Sequence, residues 1–326
     1  MIKVGLVGTG FVARERARAL IESQQGQLVA VAGHDWRATQ AFAATYGAVP
    51  YPTWQDLIKD STLDLVMVCH INAGHGSVAI AALGAHRHVV VEYPLALDPE
   101  EAEKILNLAR ARGLCLHVEH IELLSPAHQA LQQHLQAIGQ PIYGRYLTYK
   151  PKHPAPAAWT YSPDLFGFPL VGALSRIHRL VHSFGPVERV YCQNRYDHLH
   201  PTESGLNCYS ACVCTAQLTF TSGLLAEVTY AKGQIVWLEQ RRLELLGSQG
   251  QILLEGNEGR LITSSEPGRP IPLGSRRGLL ARDTEMVLDH LTTGSPLYSQ
   301  AEASLYSLRV AHAAQRSAAT GQATAL

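Results

Sequence analysis

IKVGLVGTGFVA, residues Ile2–Ala13, combines an apolar strand, a glycine-rich turn and the beginning of a helix. Its second half is a G-x-G-x-x-A motif. In that motif the first glycine permits a tight turn out of the strand, the second lets the backbone approach a pyrophosphate, and the alanine allows close packing of helix on strand. The helix N-terminus adds amide donors and the positive end of a dipole. We therefore predict that a dinucleotide binds to Gly8, Thr9, Gly10, Phe11 and Val12.

The end of the next predicted strand, residues 27–32, indicates which dinucleotide is preferred. An NAD-specific site has a carboxylate here, which binds the ribose 2′-hydroxyl. The corresponding residue is Gly33, which leaves room for a 2′-phosphate that His34 and Arg37 would face. We expect NADPH as the cofactor, with NADH bound more weakly. Two alternatives stay open: Asp35 could reach back to the ribose, and Arg37 could be a solvated arginine at a helix start.

Strands and helices alternate with short connections up to about residue 122, which predicts a doubly wound parallel sheet. A long helix is then predicted over residues 123–138, followed by strands that are not separated by helices and by a final pair of helices. Several of these strands alternate apolar and polar residues, as a one-sided antiparallel sheet does. We predict an α/β protein with an NADP-binding Rossmann domain over residues 1–122. A substrate-binding α+β domain with a large, mainly antiparallel sheet is predicted over residues 123–326.

Composition narrows the class of protein. The chain has 326 residues, 46% of them hydrophobic, and a formal net charge of zero, so no basic excess points to nucleic acid. No apolar run approaches the roughly 20 residues that cross a bilayer, and we expect a cytoplasmic enzyme without membrane contact. We expect free thiols in a reducing compartment and no metal site, because the six cysteines lack the paired spacing of zinc ligands.

The segments HINAGH, residues 70–75, and HVVVEYPLA, residues 88–96, follow the glycine motif at the spacing seen in a known family. Together with that motif they resemble the Gfo/Idh/MocA oxidoreductases, and the resemblance covers essentially the whole chain. It implies that further residues contact the dinucleotide. These are His70, Asn72, His75, Glu92 and Tyr93.

Two departures from the family pattern bear on the reaction. The sugar and polyol dehydrogenases of the family have a lysine between the Glu and Pro of this second segment, and here that residue is Tyr93. They also have an acidic residue and a histidine on a later helix, where this chain has Leu174 and His178. Oxidation of a carbinol needs a base for the hydroxyl proton. The departures therefore argue against alcohol dehydrogenation.

Glu-Tyr-Pro, together with HVEHIELL (residues 117–124), FGFPLV (166–171) and GSRRGL (274–279), resembles the family branch of cyanobacterial type that reduces biliverdin. The resemblance implies NADPH-dependent hydride transfer to the central methine carbon of this open tetrapyrrole, with protonation of a pyrrole nitrogen, to give bilirubin. It also implies that Arg176 and Tyr93 are catalytic. Substrate contacts are expected from Trp159, Tyr161, Phe168, Arg176, His178, Arg276 and Arg277.

Other interpretations remain open from the sequence. The aromatic residues near 159–168 could stack on a flat pigment or could pack among themselves to hold their own loop. The chain could instead be another Gfo/Idh/MocA oxidoreductase acting on a sugar or dihydrodiol. It could also be a sensor that binds the dinucleotide without turnover. We expect a monomer or a homodimer.

Overall fold

The computed structural model describes residues 1–203, 205–265 and 267–326. These residues form two compact units, one of residues 1–121 and 277–305, the other of residues 122–276 and 306–326. The sequence-based division put residues 277–305 with the second domain, and the structure puts them in the first unit. The physical reason is that Val287 and Leu288 belong to the hydrophobic core of the parallel sheet.

Seventeen strands are found within the described residues. They are β1 (Ile2–Val7), β2 (Gly26–Ala32), β3 (Val49–Tyr51), β4 (Leu65–Val68), β5 (His88–Val91), β6 (Leu116–Val118), β7 (Pro141–Pro151), β8 (Val187–Asp197), β9 (His200–Pro201), β10 (Asn207–Cys208), β11 (Ala211–Phe220), β12 (Leu225–Gly233), β13 (Gln240–Gly247), β14 (Gly250–Glu255), β15 (Glu258–Thr263), β16 (Arg269–Pro272) and β17 (Thr324–Ala325).

Eleven α-helices are found in the same described part of the chain. They are α1 (Phe11–Glu22), α2 (Trp36–Tyr46), α3 (Trp54–Ile58), α4 (His75–Gly84), α5 (Pro99–Arg112), α6 (Pro126–His134), α7 (Pro163–Phe166), α8 (Pro169–Gly172), α9 (Ser175–Phe184), α10 (Leu279–Thr293) and α11 (Ala301–Thr320).

The first unit is built on a six-stranded sheet in the order β3-β2-β1-β4-β5-β6, with every pair parallel. This is the Rossmann strand order, whose ligand crevice lies at the carboxyl ends of the strands where the order reverses, here between β1 and β4. Helix boundaries follow local chemistry: Asp98 caps α5, Pro99 opens it, and Gly113 ends it in the left-handed conformation. The predicted α/β class and parallel sheet are confirmed.

The second unit is built on a nine-stranded sheet in the order β16-β15-β14-β13-β7-β12-β11-β8-β17. Every pair is antiparallel except β7 with β12, which run parallel. The predicted large, mainly antiparallel sheet is therefore confirmed. Cys212 and Cys214 lie on its buried face, where small apolar side chains pack, and all six cysteines are free thiols.

The predicted long helix over residues 123–138 is wrong. The structure has a 3₁₀ turn over Ile121–Leu124, then α6, then a second 3₁₀ turn over Leu135–Ile138. The interruption follows from Ser125 and Pro126, because Ser125 caps a new helix by accepting a hydrogen bond from the His128 amide. No helix of the described residues could cross a membrane, and those residues contain no cluster of three or more metal-ligating side chains.

Candidate dinucleotide and substrate sites

The turn after β1 has a backbone that only glycine can adopt. Gly8 has φ +126°, and a Cβ atom built on it would lie 2.2 Å from the carbonyl oxygen of Cys69. The Gly8 amide donates to the Ala32 carbonyl at 2.7 Å, which ties the turn to β2. The predicted glycine turn therefore lies where the strand order reverses.

The N-terminus of α1 is open to a ligand. Gly10 occupies the N-capping position, so no side chain caps the helix, and the space where a Cβ would stand is open. Phe11 follows with 66% of its surface exposed, and the first turn of α1 has no acidic residue. The exposed Arg14, which our sequence analysis missed, donates to the Thr9 carbonyl at 3.2 Å. These features fit a pyrophosphate, since amide donors, a helix dipole and a cation converge on open space.

The end of β2 has no space for a carboxylate without rearrangement. A Cβ on Gly33 would lie 2.7 Å from Thr39 Oγ1 and 3.0 Å from Thr9 Cγ2. Asp35 does not reach back toward the ribose in this structure, because its carboxylate caps α2 by accepting a hydrogen bond from the Ala38 amide at 2.7 Å. His34 and Arg37 are both exposed beside it. The position is uncharged and flanked by basic side chains.

His75 is fully buried, so it does not present a polar atom to a ligand. Its Nδ1 lies 2.8 Å from the carbonyl oxygen of Pro94 and its Nε2 lies 3.0 Å from that of His70. Burial lowers the pKa of His75 although both carbonyls favour the protonated ring. Asn72, in the turn before α4, is 5% exposed. We therefore place His75 behind the site, where it holds the loop that carries His70.

Glu92 is part of a buried ion network. Arg16 donates Nη2 to Glu92 Oε1 at 2.8 Å and contacts Asp283 Oδ2 with Nη1 at the same distance. Asp283 Oδ1 also bonds to His117 Nε2 at 2.8 Å and accepts from Tyr298 Oη at 2.6 Å. Burial alone would raise the pKa of Asp283, but Arg16 and His117 hold it well below its usual range. Arg16 is therefore the ion-pair partner of both Glu92 and Asp283.

Tyr93 is partly exposed and stacks on a buried histidine. Its ring lies 5.4 Å from the His120 ring with an interplanar angle of 6°. His120 is itself fixed, since its Nε2 lies 2.8 Å from Ser304 Oγ. The neighbouring Glu119 is 1% exposed, and burial together with the charge of Glu92 raises its pKa well above the usual value. The Tyr93 ring is therefore held rigidly at the carboxyl end of β5.

In the second unit, Arg176 lies near the start of α9 with 5% of its surface exposed. Its guanidinium lies 5.4 Å from the Tyr230 ring centroid, and Nη1 donates to Ser175 Oγ at 2.9 Å. His178, two residues later, is 1% exposed, and its Nδ1 lies 2.9 Å from Ser307 Oγ. His178 therefore fastens α9 to α11, while Arg176 packs over the sheet face.

Glu122 forms ion pairs with three arginines. Arg179 Nη2 donates to its Oε2 at 2.7 Å, Arg241 Nη2 to its Oε1 at 2.8 Å, and Arg276 contacts both oxygens. Burial would raise the pKa of Glu122, but the hydrogen bond from Arg276 and the charges of Arg179 and Arg241 hold it well below its usual range. Arg277, the next predicted substrate contact, is exposed.

The predicted aromatic segment surrounds a lysine that the sequence analysis did not single out. Lys232 Nζ lies 4.3 Å from the ring centroids of both Tyr161 and Phe166, and 5.5 Å from that of Tyr209. It also donates to the Thr160 carbonyl. Tyr161 therefore packs inside its own segment, which agrees with the alternative that these aromatic residues hold their own loop. Two other aromatic residues of the segment keep partly exposed faces. They are Trp159 and Phe168.

Comparison with known proteins gives matches across both units. Residues 2–120 match the model of an oxidoreductase family with an NAD-binding Rossmann fold, and residues 134–326 match that family's C-terminal alpha/beta domain. The crystal structure of biliverdin reductase in complex with biliverdin and NADP+ from Synechocystis sp. PCC 6803 is 46% identical. It covers 98% of this chain and 99% of its own, with a TM-score of 0.93.

More distant relatives have lower sequence identity to this chain. Levoglucosan dehydrogenase, solved with NADH and levoglucosan, has a TM-score of 0.87 at 16% identity, covers 100% of this chain and 99% of its own, and shows the fold alone. Biliverdin reductase A of Mus musculus is 26% identical over 57% of this chain and 59% of its own. The 1,5-anhydro-D-fructose reductase of Ensifer adhaerens is 30% identical over 47% of each chain. This chain thus spans about half the length of these curated relatives.

Proposed function

Because the chain belongs to the Gfo/Idh/MocA family of NAD-binding oxidoreductases, we propose that it reduces biliverdin to bilirubin with NADPH. The first unit would hold the dinucleotide and the second the pigment. The Synechocystis enzyme, which was solved with biliverdin and NADP+, supports the proposal by its identity over nearly the whole chain.

The observation that carries the proposal is an excess of positive charge in the second unit. A group of six cations, which includes the three arginine partners of Glu122, is linked by ion pairs and electrostatic interactions, and the exposed Glu239 is a second carboxylate that acts on it. Its members are Lys150, Arg176, Arg179, Lys232, Arg241 and Arg276. Because the protein as a whole is neutral, this local excess suits an anionic ligand. A tetrapyrrole with two propionates supplies two negative charges.

The dinucleotide would lie on the glycine turn and the N-terminus of α1, with its pyrophosphate against the amides of Phe11 and Val12. The 2′-phosphate would lie by Gly33, near His34 and Arg37. His70 and Asn72 would contact the cofactor directly, whereas Glu92 and the buried His75 would fix the loops around it. Bound NADPH supplies the hydride that forms the new C–H bond at the central methine carbon.

Arg176 is the proposed catalytic residue of the second unit. A guanidinium stays protonated at any working pH, so its role is to stabilise negative charge that develops on the pigment or to orient a water that donates the proton. Its guanidinium lies over the Tyr230 ring, 5.4 Å from the centroid. The Tyr93 hydroxyl would hydrogen-bond to the pigment or the nicotinamide from a ring held by His120. One proton reaches a pyrrole nitrogen for each hydride delivered, which balances the reduction.

Further substrate contacts would come from partly exposed or exposed side chains, with the buried ones acting as supports. Trp159 and Phe168 would stack on the flat pigment, and Arg276 and Arg277 would meet its carboxylates. Tyr161 and His178 would hold the surrounding backbone, because both have less than a tenth of their surface exposed.

The test is direct. The purified protein is mixed with biliverdin and either NADPH or NADH, and the loss of green absorbance and the appearance of bilirubin are followed by spectroscopy and chromatography. We expect turnover that is faster with NADPH. Tight NADPH binding without a colour change would favour a sensor. Oxidation of a polyol with NAD would favour a dehydrogenase.

A further inference from the structure

Two lysines from neighbouring strands, Lys150 and Lys232, lie side by side near the ends of β7 and β12 in the nine-stranded sheet. In the parallel pairing of β7 with β12, Lys150 stands opposite Lys232, and Thr148 opposite Tyr230. Side chains alternate between the faces of a strand, so these four residues share one face. Thr148 and Tyr230 are buried, whereas Lys150 is exposed at the end of the row. The polar end of this face is therefore open to a ligand at Lys150.

The guanidinium charges of Arg176 and Arg241 act on the Lys150 ammonium. Arg241 lies opposite Thr148 on β13, and Arg176 lies over the Tyr230 ring. Partial desolvation by the neighbouring residues, together with the charges of Arg176 and Arg241, lowers the pKa of Lys150 to about 8, although Glu122 and Glu239 act in the opposite direction. The ammonium of Lys150 is thus held among like charges that the surrounding carboxylates only partly balance.

The other cations of this region have assigned contacts. Arg241 bonds to Glu122, and the Lys232 ammonium is enclosed by aromatic rings and the Thr160 carbonyl. Lys150 differs, because it makes no hydrogen bond or ion pair with any residue in the described part of the chain. Lys150 is therefore exposed, and its N–H donors are available to hydrogen-bond a ligand.

We propose that Lys150 binds a carboxylate of the substrate, one propionate of the open tetrapyrrole. The proposal rests on the proposed function and names the subsite within it. An ammonium surrounded by guanidiniums favours a compact anion, and a carboxylate placed there relieves the repulsion among Lys150, Arg176 and Arg241. Arg145 is excluded from this role, since it lies on the opposite face of β7 and pairs with Glu227 at 3.9 Å.

The experiment compares two pigments on three proteins. Biliverdin and its dimethyl ester, which lacks both negative charges, are given to wild type, Lys150→Met and the matched control Lys152→Met. Steady-state kinetics with saturating NADPH yield KM and kcat, and absorbance titrations of each pigment yield Kd without turnover. Lys152 is exposed two residues further along the chain and serves as the control for general surface charge.

We expect Lys150→Met to raise KM and Kd for biliverdin about tenfold, the cost of one lost bond to a charged group, with kcat nearly unchanged. The ester should bind wild type and Lys150→Met alike, and Lys152→Met should bind both pigments as wild type does. Equal losses for biliverdin and its ester, or no loss for either, would overturn the subsite. Absence of biliverdin reduction by wild type would count against the proposed function, while the titrations would still decide the subsite.

Discussion

Cofactor choice offers the sharpest test of the first unit, through Gly33→Asp with Gly33→Ala as its matched control. Both variants place a Cβ atom 2.7 Å from Thr39 Oγ1, so both impose the same local adjustment on the buried Thr39 side chain. Only Gly33→Asp adds a negative charge. The difference between the two variants therefore isolates the charge from the crowding.

The size of that difference follows from Coulomb's law. Two unit charges about 4 Å apart interact by ~1 kcal/mol in bulk water and by ~4 kcal/mol at an effective dielectric constant of about 20. Gly33 is half-buried, which places the interaction between these limits. We expect the Asp variant to bind NADPH roughly 10- to 300-fold more weakly than the Ala variant, at about 1.4 kcal/mol per tenfold change. NADH, which has no 2′-phosphate, should bind the Asp variant at least as well.

Fluorescence titration of the four combinations of variant and nucleotide measures this directly. The cross-comparison also controls for misfolding, because a damaged turn would weaken NADH and NADPH equally. If the two variants had the same ratio of NADPH to NADH affinity, the end of β2 would not face the 2′-phosphate. The assignment of NADPH preference to Gly33 would then be wrong.

Three further outcomes are expected. Arg176→Ala should lower kcat about 10²- to 10³-fold and leave the Kd of NADPH unchanged, and unaltered turnover would remove Arg176 from the mechanism. Arg16→Met should lower the free energy of unfolding by about 3–5 kcal/mol in denaturant titrations, because Glu92 and Asp283 lose their buried partner. Lys232, with its folded pKa lowered to about 8, releases its proton in the folded state before the unfolded state does. The free energy of unfolding of wild type should therefore rise relative to Lys232→Met between pH 8 and about 10.5, and equal pH slopes would contradict this.

The local sequence was sufficient for the elements that carry their own signals. Gly8 and Gly10 predicted the turn, and Asp98 and Gly113 mark both ends of α5. The strands β15 and β16 were missed because their residues are mostly polar or flanked by proline, and only pairing with β14 makes them part of the sheet. The local sequence pattern predicts structure where a residue determines the conformation of its own backbone, as turn glycines and helix caps do.

The site was harder to predict because its important contacts join distant parts of the chain. Nothing near Arg16 in sequence signals that it will lie between Glu92 and Asp283. Lys232 similarly lies near the end of a strand, and the Tyr161 ring and Thr160 carbonyl that contact it come from about seventy positions earlier. The arginines that were expected to meet substrate include Arg276, which the structure pairs with Glu122. Charge type was predictable, but the choice of partner was not.

The place of Asp283 in the first unit has a consequence for biosynthesis. During translation, Arg16, Glu92 and His117 leave the ribosome long before the residue that completes their network, since Asp283 lies 166 residues after His117. Until then Arg16 and His117 lack the Asp283 carboxylate that contacts both of them, and Val287 and Leu288 are missing from the core. A fragment that ends at residue 122 should therefore behave as an unfinished domain. The nucleotide-binding unit is thus completed by residues from late in the chain, although most of its sequence comes first.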